Sequence, residues 1–510
     1  MQRAVRAFLG GAREWVRGGR WLSLLVAAGL LLFAVASMER WIGVAVRRVG
    51  FQFDLEWMEG DVVTHVALAR QGQNLYRAPS FDFTPLIYPP LYYYVSALVS
   101  SFVGVSYLGP RLVSLCSMLG SLVLVARWVR EETDDALAGL VAAGALSATY
   151  GITGFWFDIA RVDSLFVLLV LAAQVLAARA EGPRRAILVG VLLAASALGK
   201  QTALFLAVSA IVPLLFRRFR LGLIAGASFA VVLGLAIGVF QATSRGWFWF
   251  YYITLPSQHE VAWAGASAAL EKYFWGPVAP MTLAAIALVC GVGLRPGDFR
   301  AWAQNALFVL SATAASLASI LHTGGYPNVL MPAYTAFAIA FGVEVAALRR
   351  LGPVYPAAPV LAGLATWALA VVSHYDPARA VPTRADAFAG ARVLARMKQL
   401  EKPLWVTTST YYAARAGQQV PCSPTMGIVD VLKGGGPLAV RLHAEFQDEI
   451  RRHRFKTIVM DRAAGFLPLD MIDFIRRNYR FKERMFSPLD HALWPKSGAE
   501  VRPDEIWVAE

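Results

Sequence analysis

Long stretches without a charged residue recur along the first 373 positions of this chain. They lie at 21–38, 90–107, 112–126, 136–157, 164–178, 186–199, 201–216, 221–244, 276–294, 301–321, 326–343 and 353–373. Several reach the length of about 20 residues that a helix needs to span a bilayer. With a mean hydropathy of +0.51 and 16% charged residues, a soluble protein is excluded. The sequence predicts an α-helical polytopic membrane protein with about 11–13 transmembrane helices.

The positive charges of this region indicate its orientation. The net charge is +14, but the basic residues lie mainly in short loops between apolar segments, so no nucleic-acid partner is expected. Five arginines precede Trp21, and further basic clusters occupy 182–185, 217–220 and 348–350. We therefore predict a multi-pass protein of the plasma (inner) membrane with a cytoplasmic N-terminus at 1–20 and a membrane domain at 21–373. Residues 374–510 would then form an extracytoplasmic domain.

The composition of this C-terminal part, the tail domain, is that of a soluble domain. Its periodicity predicts helices at 383–400, 441–455 and 469–479 and strands at 403–410 and 456–461. These elements indicate a small α/β domain. The glycine-rich 433–437 lacks the flanking features of a phosphate-binding loop and is interpreted as a turn.

An unusually acidic segment follows the first apolar stretch. Asp54, Glu56, Glu59 and Asp61 fall within eight residues that contain no Lys or Arg, in a predicted outer loop at 39–88. A solvated loop is the simplest explanation. The sequence "YPPLYYY" then begins at Tyr88, where the prolines suit the first turn of a helix and the tyrosines suit a membrane interface.

The order of these motifs resembles the polytopic GT-C glycosyltransferases, and within them the protein O-mannosyltransferase and aminoarabinose-transferase group of family 39. It comprises the first apolar segment, the acidic loop, a run ending in "G-x-x-L-Y", then "YPPLYYY" and "GPRLVS" at 109–114. The resemblance implies a polyprenyl-phosphate sugar donor in the lipid bilayer, an extracytoplasmic acceptor and an inverting displacement. It assigns the base to Glu59, with Asp54 and Glu56 as rivals, because such a reaction needs a carboxylate to take the acceptor proton.

Isolated charges within apolar sequence supply the other candidates. Arg111 matches a family arginine associated with the donor phosphate, although on the cytoplasmic side it would be an orientation charge. Lys200 is a lone cation in about 30 apolar residues and must meet an anion or the surface. The resemblance makes donor phosphate its partner. Asp158, Arg161 and Asp163 interrupt another apolar region, where they either pair with one another or contact the sugar or a metal.

Residues in later outer loops complete the predicted sugar and acceptor site. These candidates are Tyr88, His259, His322 and Asn328. The aminoarabinose branch has a glutamate and a lysine directly before the two prolines, where this chain has Ile87 and Tyr88. That departure weakens the case for lipid A as acceptor and for a metal. No cofactor is assigned, and a divalent metal is left open.

Two questions remain open at the sequence level. Placing Arg111 outside leaves 90–107 no net crossing, so either that segment bends back or a short piece within 186–216 is not a full span. A secondary transporter would also explain intramembrane charge, but it predicts inverted repeats that are not seen in the sequence. An inactive member that binds a lipid-linked sugar is the third alternative.

Overall fold

The computed structural model describes residues 20–292, 299–418, 423–461 and 466–509. The predicted cytoplasmic N-terminus therefore lies outside the described residues apart from Arg20. The membrane domain is built of thirteen described helices of eleven or more residues: α1 Arg20–Arg48, α2 Glu59–Arg70, α3 Leu91–Val103, α4 Leu108–Thr133, α5 Ala136–Ala148, α6 Asp163–Ala178, α7 Pro183–Gly199, α8 Ala203–Arg217, α9 Phe219–Thr243, α10 Ala279–Val289, α11 Phe299–Leu321, α12 Met331–Leu351 and α13 Ala357–Val372. Short helical turns occupy Trp247–Trp249, Phe250–Thr254, Leu255–Gln258, Trp263–Gly265, Ala266–Leu270, Glu271–Trp275 and Pro327–Leu330.

The number of spanning helices depends on how the shorter ones are counted. Five described helices are long and apolar enough to cross a membrane, or seven if each of two bent helix pairs is one span. Four more apolar helices, α3, α5, α6 and α8, have only 13 to 16 residues. The predicted 11–13 spans are approached only when these are included. Large apolar side chains such as Leu32, Phe216 and Leu235 are exposed on the helices, as a lipid-facing surface requires.

The most enclosed helix of the bundle is α12. Of its most apolar 18-residue window, 89% is buried inside the protein, and its neighbours include α5, α10 and α11. At the other extreme, only 11% of the corresponding window of α9 is buried. The bundle therefore has a protein-covered centre and a lipid-exposed edge.

Helix α3 settles the open topology question. Tyr88, just before its start, contacts Arg161, while Tyr107, just after its end, lies 4.8 Å from the Arg111 guanidinium. Val105 in the following loop accepts a hydrogen bond from Tyr411 of the tail domain. Both ends of α3 thus lie on the tail-domain side, so residues 90–107 bend back.

The basic clusters meet at the opposite end of the bundle. Arg349, at the end of α12, pairs with Asp135, the N-cap of α5. Arg217 donates to the carbonyl groups of Ala177 and Ala178 at the end of α6. These loops therefore share one end of the bundle, as the charge pattern predicts for one side of a membrane.

The tail domain has the predicted α/β character. It contains α14 Arg384–Lys398, β1 Leu404–Val406, α15 Thr410–Arg415, α16 Thr425–Gly434, α17 Gly436–Arg451, β2 Thr457–Met460, α18 Leu469–Asn478, β3 Tyr479–Arg484 and β4 Glu505–Ala509, after a short turn Pro377–Arg379. All three predicted helices and both predicted strands are present. The strand order is β1-β2-β4-β3, with β1 and β2 parallel and the other pairs antiparallel. The glycine-rich 433–437 is the junction between α16 and α17, confirming the interpretation as a turn.

The tail domain is docked on the acidic segment of the membrane domain. Lys496 and Ser497 both donate backbone N–H groups to the carbonyl of Leu55. Gly60 allows a close approach on the other side, since a Cβ there would lie 1.9 Å from the Ser409 hydroxyl oxygen. The acidic segment is therefore sandwiched between the helix bundle and the tail domain.

Candidate active site

Most of the charged site candidates converge in one buried layer between the helix bundle and the tail domain. The first helix extends to Arg48, so the predicted outer loop at 39–88 begins about ten residues later and itself contains α2. We call this group the polar layer. It consists of Arg48, Glu56, Glu59, Arg111, Asp158, Arg161, Asp163 and Lys200.

Glu59 and Arg111 form a sealed ion pair within the polar layer. Both Nε and Nη2 of Arg111 donate to the Glu59 carboxylate, which also accepts from the backbone N–H groups of Leu55 and Ala160. Both side chains have zero exposure. Burial alone would raise the pKa of Glu59, but Arg111 and these hydrogen bonds lower it. The geometry therefore favours neither the predicted base role of Glu59 nor the predicted phosphate contact of Arg111.

Asp158 also forms a buried ion pair, with Arg48, a residue that was not selected from the sequence. Arg48 donates to both carboxylate oxygens at 2.7 and 2.8 Å, and Tyr150 donates to one of them at 2.8 Å. The guanidinium of Arg48 also donates to the carbonyl of Phe155. Arg161 does not neutralise Asp158, contrary to one of the two predicted alternatives. Arg48 was not selected from the sequence because it lies beside Arg47 in the last turn of the first helix, where a basic residue resembles an orientation charge.

Arg161 pairs instead with Glu56 of the acidic segment. Its Nη1 donates to Glu56 at 3.0 Å and its Nη2 to the Tyr88 hydroxyl at 2.5 Å. Burial raises the pKa of Glu56 to about 8, with Arg161 opposing the shift. Arg161 Nε is buried and has no hydrogen-bond partner within the described part of the chain. Tyr88 is half-buried, so this trio reaches the surface of the polar layer.

Lys200 lies at the break between α7 and α8, beside Asp163. Its Nζ is 2.5 Å from the Asp163 carboxylate, which also accepts from Asn328 and from the Trp156 indole N–H. The Lys200 side chain retains 10% exposure. The structure thus brings Lys200, Asp163 and Asn328 together, with Asp163 accepting a hydrogen bond from each of the other two.

The two remaining acids of the acidic segment bind backbone and the tail domain. Asp54 is half-buried and accepts a hydrogen bond from the Gly60 N–H at 2.9 Å. Asp61 accepts from both the N–H and the hydroxyl of Thr410 at 3.0 and 2.8 Å. Burial raises the pKa of Asp61 to about 6, with Thr410 opposing the shift. The acids are not a solvated loop, the simplest explanation of the sequence.

The two predicted loop histidines hold backbone segments. His259 is buried, and its Nε2 lies 2.8 Å from the Asp430 carbonyl in α16 of the tail domain. His322 Nε2 lies 3.1 Å from the Pro256 carbonyl, and the two imidazole rings are 5.2 Å apart. His259 therefore joins its loop to the tail domain, and His322 joins a second loop of the membrane domain to the first.

Aromatic rings that the sequence reasoning did not select line the layer beside Arg161. The Trp57 ring lies 4.5 Å from that of Tyr326 and 5.9 Å from that of Trp156, whose ring is 5.4 Å from the Arg161 guanidinium. Among the described residues, the Trp57 indole N–H has no hydrogen-bond partner. Aromatic rings beside unused donors are suited to binding a sugar ring.

The described residues offer no metal site. Nowhere in the described ranges do three His, Cys, Asp or Glu side chains form a group that could hold a metal ion. Each of the four acids of the polar layer pairs with a cation of its own. No step of the chemistry below is assigned to a metal.

Comparison with known proteins connects this arrangement to a family. The sequence model of the dolichyl-phosphate-mannose-protein mannosyltransferase family matches residues 88–244, the segment that carries Arg111, Asp158, Arg161, Asp163 and Lys200. The resemblance to the GT-C glycosyltransferases is confirmed. Among curated proteins, no sequence match is found.

Solved structures extend the likeness to nearly the whole chain. ArnT from Cupriavidus metallidurans, bound to undecaprenyl phosphate, superposes with a TM-score of 0.55 at 12% identity. The match covers 93% of this chain and 97% of ArnT. ArnT in the apo state gives a TM-score of 0.54 at 11% identity with the same coverage. The fold shared with ArnT thus includes the tail domain as well as the helix bundle.

Proposed function

We propose that this GT-C protein transfers a sugar from a polyprenyl-phosphate donor to an acceptor on the extracytoplasmic side of the membrane. The family that matches 88–244 is named for dolichyl phosphate, and the solved ArnT complex contains undecaprenyl phosphate; both are polyprenyl phosphates. The observation that carries the proposal is the position of Lys200. It lies inside the matched segment, and it is the cation of the polar layer whose side chain retains the greatest exposure, 10%.

Lys200 has donors left for a phosphate. An ammonium group has three N–H donors, and among the described residues Asp163 is its one hydrogen-bond acceptor. Lys200 lies at the break between α7 and α8, next to the half-buried Gln201. A departing phosphate placed there would gain a charge-assisted hydrogen bond as negative charge develops on it. Arg48 and Arg111 are fully buried in carboxylate pairs and cannot offer this.

The proposed sugar position is beside Lys200, against the side of the polar layer that carries Arg161, Trp57 and Tyr326. Arg161 Nε and the Trp57 indole N–H supply unused donors, and Tyr326 supplies a half-buried ring. Glu56 lies in the same wall, where its carboxylate accepts from Arg161 and from the Met58 N–H. Glu56 is thus the member of the predicted trio of acids that this geometry retains in the site, in a binding role.

The proposed side of the membrane follows from the charge distribution. The basic clusters that include Arg217 and Arg349 gather at the end of the bundle opposite the polar layer. Positive loops favour the cytoplasm. The polar layer and the tail domain would therefore face outward, at the plasma (inner) membrane, where a lipid-borne sugar meets its acceptor.

The test uses the purified full-length chain in lipid nanodiscs with radiolabelled polyprenyl-phosphate sugars. Release of the sugar to a second molecule and recovery of free polyprenyl phosphate are measured for wild type, Lys200→Met and the exposed control Lys482→Met. We expect Lys200→Met to lower transfer at least about 100-fold, because one stabilising donor is lost in the transition state. The control should match wild type.

Three other results would contradict the proposal. Unchanged transfer by Lys200→Met would remove the phosphate role of Lys200. Tight binding of polyprenyl phosphate without turnover of any donor would identify a binding protein. Movement of a solute across sealed vesicles without cleavage of a glycosidic bond would identify a transporter.

A further inference from the structure

We propose that a groove between α1 and α13 binds an anionic phospholipid of the outer leaflet, whose phosphate is held by Arg40. This groove, here called the lipid groove, lies outside the polar layer, and its occupation does not depend on glycosyl transfer. The wall and outer-end residues that carry the argument are Gly29, Phe33, Gly363, Trp367, His374 and Tyr375.

The lipid groove forms where two helices run side by side and small residues leave space between them. The helices approach each other at one end, where a Cβ on Gly363 would lie 3.6 Å from Val26 Cγ1. They are joined again at Arg40, whose Nη1 lies 3.1 Å from His374 Nδ1. Between these two contacts, a Cβ on Gly29 would meet nothing within 4 Å. From Val26 to Arg40 an α-helix rises about 20 Å, which sets the length of the groove.

The size and position of the lipid groove suit a lipid acyl chain. Its volume is about 730 Å³, within the range of about 300–1,000 Å³ that is typical of ligand sites. Its length exceeds the depth of one leaflet, which is half of a hydrocarbon core of about 30 Å. Only 17% of the most apolar window of α1 is buried inside the protein, so the groove opens toward the bilayer. A membrane lipid therefore has direct access to it.

A cation without an ion pair lies at the outer end of the lipid groove. Among the described residues, Arg40 forms no ion pair, and its side chain is hydrogen-bonded to His374 Nδ1. A guanidinium has five N–H donors and no acceptor, so His374 Nδ1 accepts and most donors of Arg40 stay free. The planar guanidinium can bind two phosphate oxygens at once. A phosphate that is not balanced by an attached ammonium group is therefore the favoured partner of Arg40.

The acids next to Arg40 in the sequence and the structure do not neutralise it. Glu39 precedes it, but successive side chains of a helix do not face each other. The Glu39 carboxylate lies along α1, 3.7 Å from the position that a Cβ on Gly43 would occupy. Asp376, beyond His374, accepts a hydrogen bond from the Ala378 N–H at 2.9 Å. Arg40 thus keeps its charge available for a ligand.

The position of Arg40 agrees with the orientation of the membrane domain. Arg40 precedes Arg48 of the polar layer by about two turns, or about 12 Å along α1. His374 follows the end of α13, on the path to the tail domain. The basic clusters that include Arg217 and Arg349 lie at the opposite end of the bundle. With the polar layer facing outward, as proposed above, the long side chain of Arg40 reaches the headgroups of the outer leaflet.

Tyr375 connects the lipid groove to the polar layer. Its ring lies 5.8 Å from the Arg40 guanidinium and 5.7 Å from the ring of Tyr150. The Tyr150 hydroxyl in turn donates to Asp158 of the polar layer at 2.8 Å. A lipid that holds Arg40 against Tyr375 would therefore stabilise the connection between α13 and the tail domain, and with it the folded protein.

The experiment measures lipid retention by native mass spectrometry. The full-length chain is released from nanodiscs that contain equal amounts of phosphatidylglycerol and phosphatidylcholine with the same acyl chains. Wild type is compared with Arg40→Gln and with Gly29→Leu, which fills the groove. The control Arg47→Gln removes an exposed cation of the same helix. The control Gly234→Leu adds the same side chain to the lipid-facing α9, where a Cβ also meets nothing within 4 Å.

We expect wild type and both controls to retain phosphatidylglycerol about 5-fold more than phosphatidylcholine, the size of the attraction between one cation and an anionic lipid. Arg40→Gln should retain both lipids equally, and Gly29→Leu should lose both. Without added lipid, Arg40→Gln should unfold at the wild-type temperature in detergent. Added phosphatidylglycerol should then raise the unfolding temperature of wild type but not that of Arg40→Gln.

Four results would overturn this inference. Equal retention of the two lipids by wild type would identify ordinary boundary lipid. An equal loss of preference in Arg47→Gln and Arg40→Gln would assign the preference to diffuse surface charge. Polyprenyl phosphate retained in place of phospholipid, or a lipid-free dimer, would assign the groove to the donor or to a second copy of the chain. Since sugar transfer is not measured, each of these results leaves the proposed function standing.

Discussion

Glu59 Oε2 lies 2.5 Å from Arg111 Nη2, and neither side chain is exposed to solvent. The pair joins the acidic segment to the start of α4 across 52 residues of sequence. Its backbone partners are equally informative, because Glu59 also fixes Ala160 in the irregular segment between α5 and α6. The pair thus stabilises the segment between α5 and α6 that carries Arg161.

We expect Glu59→Gln to destabilise the protein by about 3 to 5 kcal/mol, because it leaves the Arg111 charge buried without a counter-ion. The measurement is thermal and denaturant unfolding in detergent, with Arg396→Gln, in the more exposed pair with Glu483, as the control. The control should change by less than about 1 kcal/mol. A Glu59→Gln protein that unfolds like wild type but has lost activity would restore Glu59 as a catalytic candidate.

A double-mutant cycle on Arg48 and Asp158 tests whether this pair is structural. Each single change, Arg48→Met or Asp158→Leu, should cost about 3 to 5 kcal/mol because one buried charge remains. The double variant should recover most of that loss, since no unpaired charge is left. Additive losses in the unfolding free energies would contradict the paired arrangement.

Docking of the tail domain should depend on pH through Asp61. Its pKa is about 6 in the folded protein against 3.8 in the unfolded chain, so the folded state binds the proton more tightly. The stabilisation of the folded state by proton binding to Asp61 is therefore fully present below about pH 4 and is lost as the pH rises to about 6. Asp61→Asn should remove it. The advantage of Asp61→Asn over wild type in unfolding temperature should grow between pH 4 and 6 and stay constant above.

The matched control for this prediction is Asp448→Asn, on the exposed surface of α17. Its unfolding temperature should follow wild type at each pH. A pH-independent difference between Asp61→Asn and wild type would show that burial of Asp61 does not set the pH response.

Tyr326 provides a test of the aromatic surface. Its half-buried ring lies 4.5 Å from that of Trp57, next to the proposed sugar position. We expect Tyr326→Ala to raise KM for the donor about 5-fold, the size of an aromatic contact worth about 1 kcal/mol, while Tyr326→Phe keeps the wild-type KM. Tyr355→Ala, at an exposed position, is the control. Equal KM values for Tyr326→Ala and wild type would exclude this ring from the donor site.

The elements were more predictable than the contacts between them. Uninterrupted apolar stretches specify membrane helices, and the periodicity of apolar and polar residues specified α14, α17 and α18 and the first two strands of the tail domain, whereas α15 and α16 were missed. Strands β3 and β4 were missed because they pair only with each other and with β2, a long-range relation that local sequence does not report. Helix α3 was ambiguous because its length and apolarity alone do not distinguish a crossing from a return.

The sequence by itself determined that this is a polytopic membrane protein with an acidic segment, isolated cations and a small α/β domain, because hydropathy and charge are local properties of the chain. Only the tertiary structure decided which charge meets which. Arg48 takes Asp158, Arg111 takes Glu59 and Arg161 takes Glu56, over separations of 52 to 110 residues. A buried carboxylate acts as a structural tie when its lone pairs are filled and is free for chemistry when they are not.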